Sequence, residues 1–379
     1  RLRADLLRLL GTVLYEAGDL DRAQTVLADG AGVAAAAGAA GLQARIRVQQ
    51  ISTGVGLDAA VLEECGQAVA VLEAEGDLAG LAKAWLVTGQ LRLHRGEWPA
   101  DEEALERAVA LGRQSGNHPV AQEATHWLAV SLSLLRVPVD AAISRAEQLL
   151  QGASGEPWAE ARILVPLSEL YAYAGRFAAA RGALARARLV DTEAGAKLHV
   201  ATSAILAGPV ELMAGNPAAA ERYLWEAYEM LRAMGERGYL ATVAGELADV
   251  LYARERYDEA QRITEEAQAV TAADDIDAQA RWRSVQAKLC ARRGDFAVAR
   301  QRAGEAEALV SPAVSFPVLH AEVLMAKAEV NRLAGAPDQA AASVRAALQI
   351  YQDRGIAPLA EQATAALASL AAAAGTATA

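Results

Sequence analysis

Cysteine, phenylalanine and long apolar runs are all scarce in this chain, and each shortage excludes something. Two cysteines, Cys65 and Cys290, in 379 residues are too few for a disulfide framework. No uncharged apolar run approaches roughly 18 residues, so no transmembrane helix is expected, and no charged-then-apolar leader opens the chain. With three Phe the core cannot be a set of large aromatic clusters. No stretch shows the strict apolar alternation or the Val/Ile/Thr density of a strand. The phosphate loop GxxxxGK[ST] is absent, as are HExxH, GxSxG and CxxC, so the sequence names no nucleotide, zinc or acyl-transfer site. A net charge of −11 argues against non-specific binding to nucleic acid or to an anionic membrane, which need Lys/Arg patches.

What is present is alanine at high density among Glu, Arg, Leu and Gln, a composition that favours helix nearly everywhere. It is arranged as a repeat. Tyr239–Ala267 is written again one period later as Ala280–Ala306, and the same unit runs through the chain. Its marker is the first residue of a short turn: Gly18, Val55, Gly96, Val137, Gly175, Gly215, Glu255, Gly294 and Gly335, at steps of 37 to 41. Two residues on stand Leu20, Leu57, Trp98, Val139, Phe177, Pro217, Tyr257, Phe296 and Pro337, none of them polar. Five residues on stands alanine, as in Ala23, Ala60, Ala142 and Ala260, delayed to Ala104 in the third repeat. Seven residues before the marker the side chain is mostly small, as in Gly11, Gly89, Ser168, Gly208 and Ala248, with Val48 and Val130 as exceptions.

A second ladder lies midway: Gly38, Gly76, Gly116, Gly155, Gly195, Gly235, Asp275, Ser315 and Gly355. Glycine just past a helix is the usual left-handed stop, and Pro119, Pro157, Pro317 and Pro358 follow where new helices start. Each period is therefore two helices, A and B. Small residues let A and B approach closely, and the residue at the turn fills the wedge between them, so Tyr257 and Phe296 are expected to be buried anchors. One pair cannot bury its apolar face, so neighbours stack. The expected fold is all-α: a right-handed solenoid of about nine helix-turn-helix repeats. These lie near 1–38, 39–76, 77–116, 117–155, 156–195, 196–235, 236–275, 276–315 and 316–355, with a capping helix over 356–373 and a disordered tail, 374–379. In a linear array each repeat touches only its neighbours, so Cys65 and Cys290 should not meet and read as buried free thiols of a reducing compartment. The chain opens on Arg1 already inside a helical pattern, which predicts a piece of a longer polypeptide.

The pattern small residue … Gly-Asp-Phe/Tyr/Leu-Asp-x-Ala resembles the tetratricopeptide repeat (TPR) over nearly the whole chain. Gly18-Asp19-Leu20-Asp21-Arg22-Ala23 and Gly294-Asp295-Phe296-Ala297-Val298-Ala299 are close to it. Two features depart from it. The period is near 40 rather than about 34, and the usual early Trp of helix A is missing except at Trp85. The stretch from Met234-Gly235-Glu236-Arg237-Gly238-Tyr239 onward is similar in style to the C-terminal arm of large bacterial signalling proteins. In those, an adenylate/guanylate cyclase or LuxR-like DNA-binding domain accompanies a STAND-type ATPase. The resemblance implies a cytoplasmic, non-enzymatic regulatory scaffold with no cofactor. Its partner would be a protein or peptide, or the chain's own N-terminal domain, and neither nucleic acid nor membrane. The alternative it leaves open is a peptide- or small-ligand-sensing transcriptional regulator.

Other candidate chemistry has plainer explanations. His118 and His126 lack the third or fourth ligand that zinc needs, and Asp274 and Asp275 read as helix N-caps. Arg281, Arg283, Lys288, Arg292 and Arg293 read as a salt-bridge-laced helix facing Glu265, Glu266, Asp274 and Asp275, or as a partner site. The family's geometry implies a concave groove lined by A helices, with Arg45, Lys83 and His94 toward the start, Trp127 in an apolar middle, and Arg281, Lys288 and Arg292 toward the end. Arg8, Tyr15, Gln49 and Gln90 belong to the same lining, as do Leu134, Val165, Ile205, Leu212 and Met213. The apolar members are either groove or core.

Overall fold

Helix propensity and turn chemistry act together here, so the helices begin and end where the glycine ladders place them. The computed structural model describes residues 1–53, 59–310 and 316–377; Val55, Leu57 and Ser315 lie outside these, as do the last two residues of the expected tail. Among the described residues the elements are helices only, arranged as pairs. They are α1 Leu2–Glu16 with α2 Leu20–Ala36, α3 Ala40–Ser52 with α4 Ala59–Ala74, α5 Leu78–His94 with α6 Ala100–Gln114, and α7 His118–Ser133 with α8 Val139–Gly152. Then come α9 Pro157–Tyr173 with α10 Phe177–Glu193, and a divided A helix, α11 Lys197–Thr202 and α12 Ala204–Met213, with α13 Pro217–Met234. The last are α14 Gly238–Ala253 with α15 Tyr257–Val270, α16 Ile276–Arg292 with α17 Phe296–Leu309, α18 Pro317–Leu333 with α19 Pro337–Arg354, and the closing α20 Ala357–Ala377. The closing helix runs past residue 373, to Ala377. The sixth A helix divides at Ser203 because the Val200 carbonyl is taken by Ser203 Oγ at 2.8 Å and Arg188 Nη1 at 3.3 Å.

The turns share one hydrogen-bond scheme. Gly18 adopts φ +81°, and the following Asp19 amide donates to the Leu14 carbonyl five residues back, the paired closure of a Schellman motif. Glu255 takes the same left-handed conformation, φ +62°, without being glycine. In the fourth repeat Leu135, φ +52°, adopts it in place of the marker Val137.

The alanine past the marker is buried in all but one of the repeats. Ala23, Ala142, Ala180, Ala220, Ala260, Ala299 and Ala340 are fully buried, and Ala104 nearly so. Ala60 is exposed. Small A-helix residues do not face this alanine but a larger B-helix side chain sixteen residues downstream. Cβ atoms built on Gly11, Gly89 and Gly208 would stand 2.6, 2.6 and 2.8 Å from carbons of Leu27, Leu105 and Leu224. In these three pairs a missing side chain on the A helix makes room for a leucine on the B helix, as close packing demands.

The expected anchors are a correction. Tyr257 and Phe296 are half-buried, Trp98 is 47% exposed, and Val139 is buried. The wedge opens toward solvent, so one face of the ring is covered: Tyr257 lies 5.4 Å from the Tyr252 ring, with the Arg292 guanidinium 5.1 Å away. Cys65 is buried and pushed up to about 12 by burial, whereas Cys290 is half-buried; both are free.

The larger correction concerns linearity. The superhelix turns tightly enough to touch itself. Arg354 Nη1 donates to the Arg136 carbonyl at 2.7 Å. A Cβ on Gly355 would stand 3.1 Å from Val139, and one on Gly18 would stand 3.1 Å from Met234. Residues of α7–α12 share one apolar cluster with α18–α20. Small rotations per repeat accumulate, so the ninth repeat and the closing helix return to the fourth and fifth.

Candidate functional site

Closure curls the expected groove into a deep, solvent-connected cavity of about 1120 Å³, slightly above the roughly 300–1,000 Å³ usual for small-ligand sites. Its walls are the inner faces of the A helices of repeats one to eight, with the start of the ninth. Arg45, Lys83, His94, Trp127 and Arg281 all line it, as do Arg8, Tyr15, Gln49, Gln90, Leu134, Val165 and Ile205. Leu212 and Met213 lie in the apolar clusters instead.

Lys288 and Arg292 are not brought to the cavity. Lys288 bonds Asp249 and stands 4.5 Å from the Tyr252 ring centroid. Arg292 reaches the Tyr252 hydroxyl at 3.1 Å and Glu329 at 3.5 Å. Together these side chains form a ladder of ions and rings tying α16 to α14 and α18. The basic helix is salt-bridged, but to Asp249, Asp277, Glu305, Glu322 and Glu329 rather than to the sequence-adjacent acids. Asp275 is the N-cap of α16, its carboxylate accepting from the Ala278 amide at 3.0 Å. Asp274 makes no such cap.

The cavity has three chemically distinct zones. At the first repeats Arg45 is held by a bidentate pairing with Asp77, whose carboxyl lies below its usual range although burial pulls the other way.

The middle, expected to be apolar, is aromatic and polar. Trp127 meets His94 and His126 edge to face, with centroids 5.6 and 5.5 Å apart, and its Nε1 donates to Glu123 at 3.0 Å. His126 Nδ1 lies 2.6 Å from the Arg162 carbonyl; since a carbonyl only accepts, that nitrogen carries the proton. Trp158 packs edge to face with His199 at 5.4 Å, and the Arg162 guanidinium lies 4.9 Å from the Trp158 centroid while pairing with Asp191. Burial lowers all three histidines, and His199 falls to about 3 with Arg162 adding to the effect. These rings are neutral donors and acceptors at neutral pH.

The far end is acidic. Arg281 Nε donates to both Asp277 oxygens at 3.0 Å and its Nη1 to Glu322 at 3.1 Å. Tyr173 donates to Glu169 at 2.9 Å. Burial lifts Glu169 to about 7, and Glu246 well above the usual carboxylate range. His94 of the third repeat and Asp277 of the eighth both line the space, and the Asp277 charge works against the lowering of His94 by burial.

Sequence reasoning missed Glu123, Glu169, Glu246 and Glu322. The offsets that pick Gln49 and Lys83 also pick Glu169 and Glu322, six and thirteen residues before their markers, so that signal was present. Glu246 stands nine before its marker, and only the closed geometry reveals it.

Among the described residues no group of three or more His, Cys, Asp or Glu could hold a metal ion, and no helix is long and apolar enough to cross a membrane. No family model and no curated protein matches the chain. Solved structures do. A Rap protein complexed with competence and sporulation factor is 12% identical, with a TM-score of 0.63, covering 95% of this chain and 99% of that one. A tetratricopeptide repeat protein from Parabacteroides merdae is 14% identical, covering 80% of this chain and 98% of that one, TM-score 0.39. A STAND signal-transduction ATPase with a tetratricopeptide repeat sensor, from Pyrococcus horikoshii, is 13% identical, covering 82% of this chain and 49% of that one, TM-score 0.48. The likeness to the Rap protein is one of fold: an all-helical, TPR-like solenoid along its full length.

Proposed function

We propose that the chain is a non-enzymatic binding module whose internal cavity takes a short peptide or peptide-like segment, and that occupancy is read out as regulation of an associated signalling activity. The observation that carries this reading is the cavity itself: A-helix side chains from eight successive repeats converge on about 1120 Å³ of inward-facing space. An extended segment suits such a space, with apolar walls for its side chains and polar groups to orient it. The Rap protein of like fold was solved with competence and sporulation factor, which supports a ligand-taking reading here. The ligand-facing residues we assign are Arg45, Lys83, His94, Trp127 and Arg281, with Lys288 and Arg292 given to the inter-repeat ladder. The link to a cyclase or STAND ATPase rests on the style of the sequence from Met234 onward, and the segment taken up could then be the parent protein's own.

The test is affinity selection from a pool of random acetylated hexapeptides on the 379-residue chain and on Gln90→Trp, which fills the cavity from α5. Retention by the wild type and its loss in the variant are expected. Equal retention by both proteins, or none by either, overturns the reading. Turnover of ATP or GTP by the purified chain would overturn its non-enzymatic part.

A further inference from the structure

We propose that the acidic end of the cavity receives an organic cation, a guanidinium or primary ammonium group, and that Glu246 is the carboxylate that pairs with it; this rests on the cavity being the binding site. The inference comes from following each donor at that end to its acceptor. Arg281 Nε donates to Asp277 and its Nη1 to Glu322, and the Tyr173 hydroxyl donates to Glu169. Glu246 is left over. It is 6% exposed, it lines the cavity, and its Oε2 is buried with no hydrogen-bond partner among the described residues.

The neighbouring glycine makes this more pointed. A Cβ on Gly245 would stand 3.0 Å from Arg281 Cβ, so Gly245 lets the Arg281 stem lie against α14 beside Glu246. The fold therefore delivers a guanidinium next to this carboxylate and then directs it to other acceptors. A buried polar group without a partner costs free energy, and a ligand that supplies the missing donors removes that cost.

Charge agrees with geometry. Asp277, Glu322 and Glu169 all act on Glu246 through their charge, and Arg281 is the cation among them. Burial first, and these three carboxylates with it, hold Glu246 well above the usual range, while Arg281 opposes them. An entering cation would take the place of the proton. A directional N–H donor on an apolar stem suits the walls better than a bare metal ion. Tyr239 and Thr242 stand on the Glu246 face of α14, and Leu319 lies three residues before Glu322 on α18.

The experiment uses two pools of acetylated, amidated hexapeptides of Gly, Ser, Leu and Phe, one with a central arginine and one with citrulline, its neutral isostere. Spermidine forms a third arm. Each is offered to the full chain, to Glu246→Gln and to Glu265→Gln, an exposed control on α15. The arginine pool should be retained at least about tenfold over citrulline, the scale of one charge-assisted hydrogen bond. Glu246→Gln should abolish that preference and Glu265→Gln should keep it. Equal retention of both pools, or a preference that survives Glu246→Gln, overturns the inference while leaving the peptide reading standing. Spermidine binding that depends on Glu246, with no peptide retained, would support the cation site and sink the peptide reading. No retention of any probe overturns both.

Discussion

Leu224 occupies the space that a side chain on Gly208 would need: a Cβ there would stand 2.8 Å from Leu224 Cγ and Cδ2. The B helix therefore seats a large residue in the notch left by the A helix, and the two positions should be coupled. Gly208→Val should cost about 1–3 kcal/mol by overpacking, and Leu224→Ala about 2–5 kcal/mol by leaving a cavity. The double variant should cost less than the sum, since the new methyls enter the vacated space. Strict additivity in denaturant unfolding would refute the notch.

Glu255 occupies a left-handed position, φ +62°, where most other repeats place glycine, and its side chain is exposed. The strain of an L residue there is roughly 1–2 kcal/mol, part of which glycine gives back as unfolded-state entropy. Glu255→Gly should raise stability by up to about 1 kcal/mol, visible as a higher midpoint of thermal unfolding. A drop would mean that the Glu255 side chain contributes something not visible in its contacts.

Tyr228 of the sixth repeat and Tyr257 of the seventh should rank by burial, not by their place in the repeat. Tyr228 is fully buried and bonds Glu266, so Tyr228→Ala should cost about 3–5 kcal/mol. Tyr257 is half-buried, so Tyr257→Ala should cost about 1–2 kcal/mol, the fraction of its surface that is covered. Ala260→Leu, at the fully buried contact, should cost about 1–3 kcal/mol. Calorimetric midpoints would show whether Tyr257 is an anchor after all.

Two opposing titrations should act on the stability of the unliganded protein over overlapping pH windows. Glu169 and Asp275 hold their protons up to about 7 against ordinary values of 4.5 and 3.8. The folded state then binds more protons than the unfolded one, and stability falls as pH rises through that window. His199 has the opposite sign. At about 3 against 6.5, its folded form binds fewer protons, and stability falls as pH drops below 6.5. Urea unfolding across this range should show both limbs, with Glu169→Gln flattening the alkaline one and His199→Gln the acidic one. A Glu169→Gln profile parallel to wild type would show that Glu169 ionises freely in the fold.

Local physics made much of the molecule legible. A left-handed glycine after most of the helices and a buried alanine past most of the turns are consequences of contacts within one repeat, and the chain spells them at nearly fixed spacing. So the helix limits, the pairing of A with B and the all-helical class follow from the residues alone. The half-buried state of Tyr257 and Phe296 does not, because it depends on how far each pair splays. Nor does the grouping of Glu246 with Arg281, Glu322 and Glu169, which come from four different repeats.

What the sequence by itself determined is the period and the kind of object it builds. Whether that object is an open arm or a coil closed on a cavity was decided by the tertiary structure. The turn per repeat is a small angle set by many side chains at once, and only its accumulated value brings Arg354 to Arg136 and sets Glu246 in the wall of the cavity.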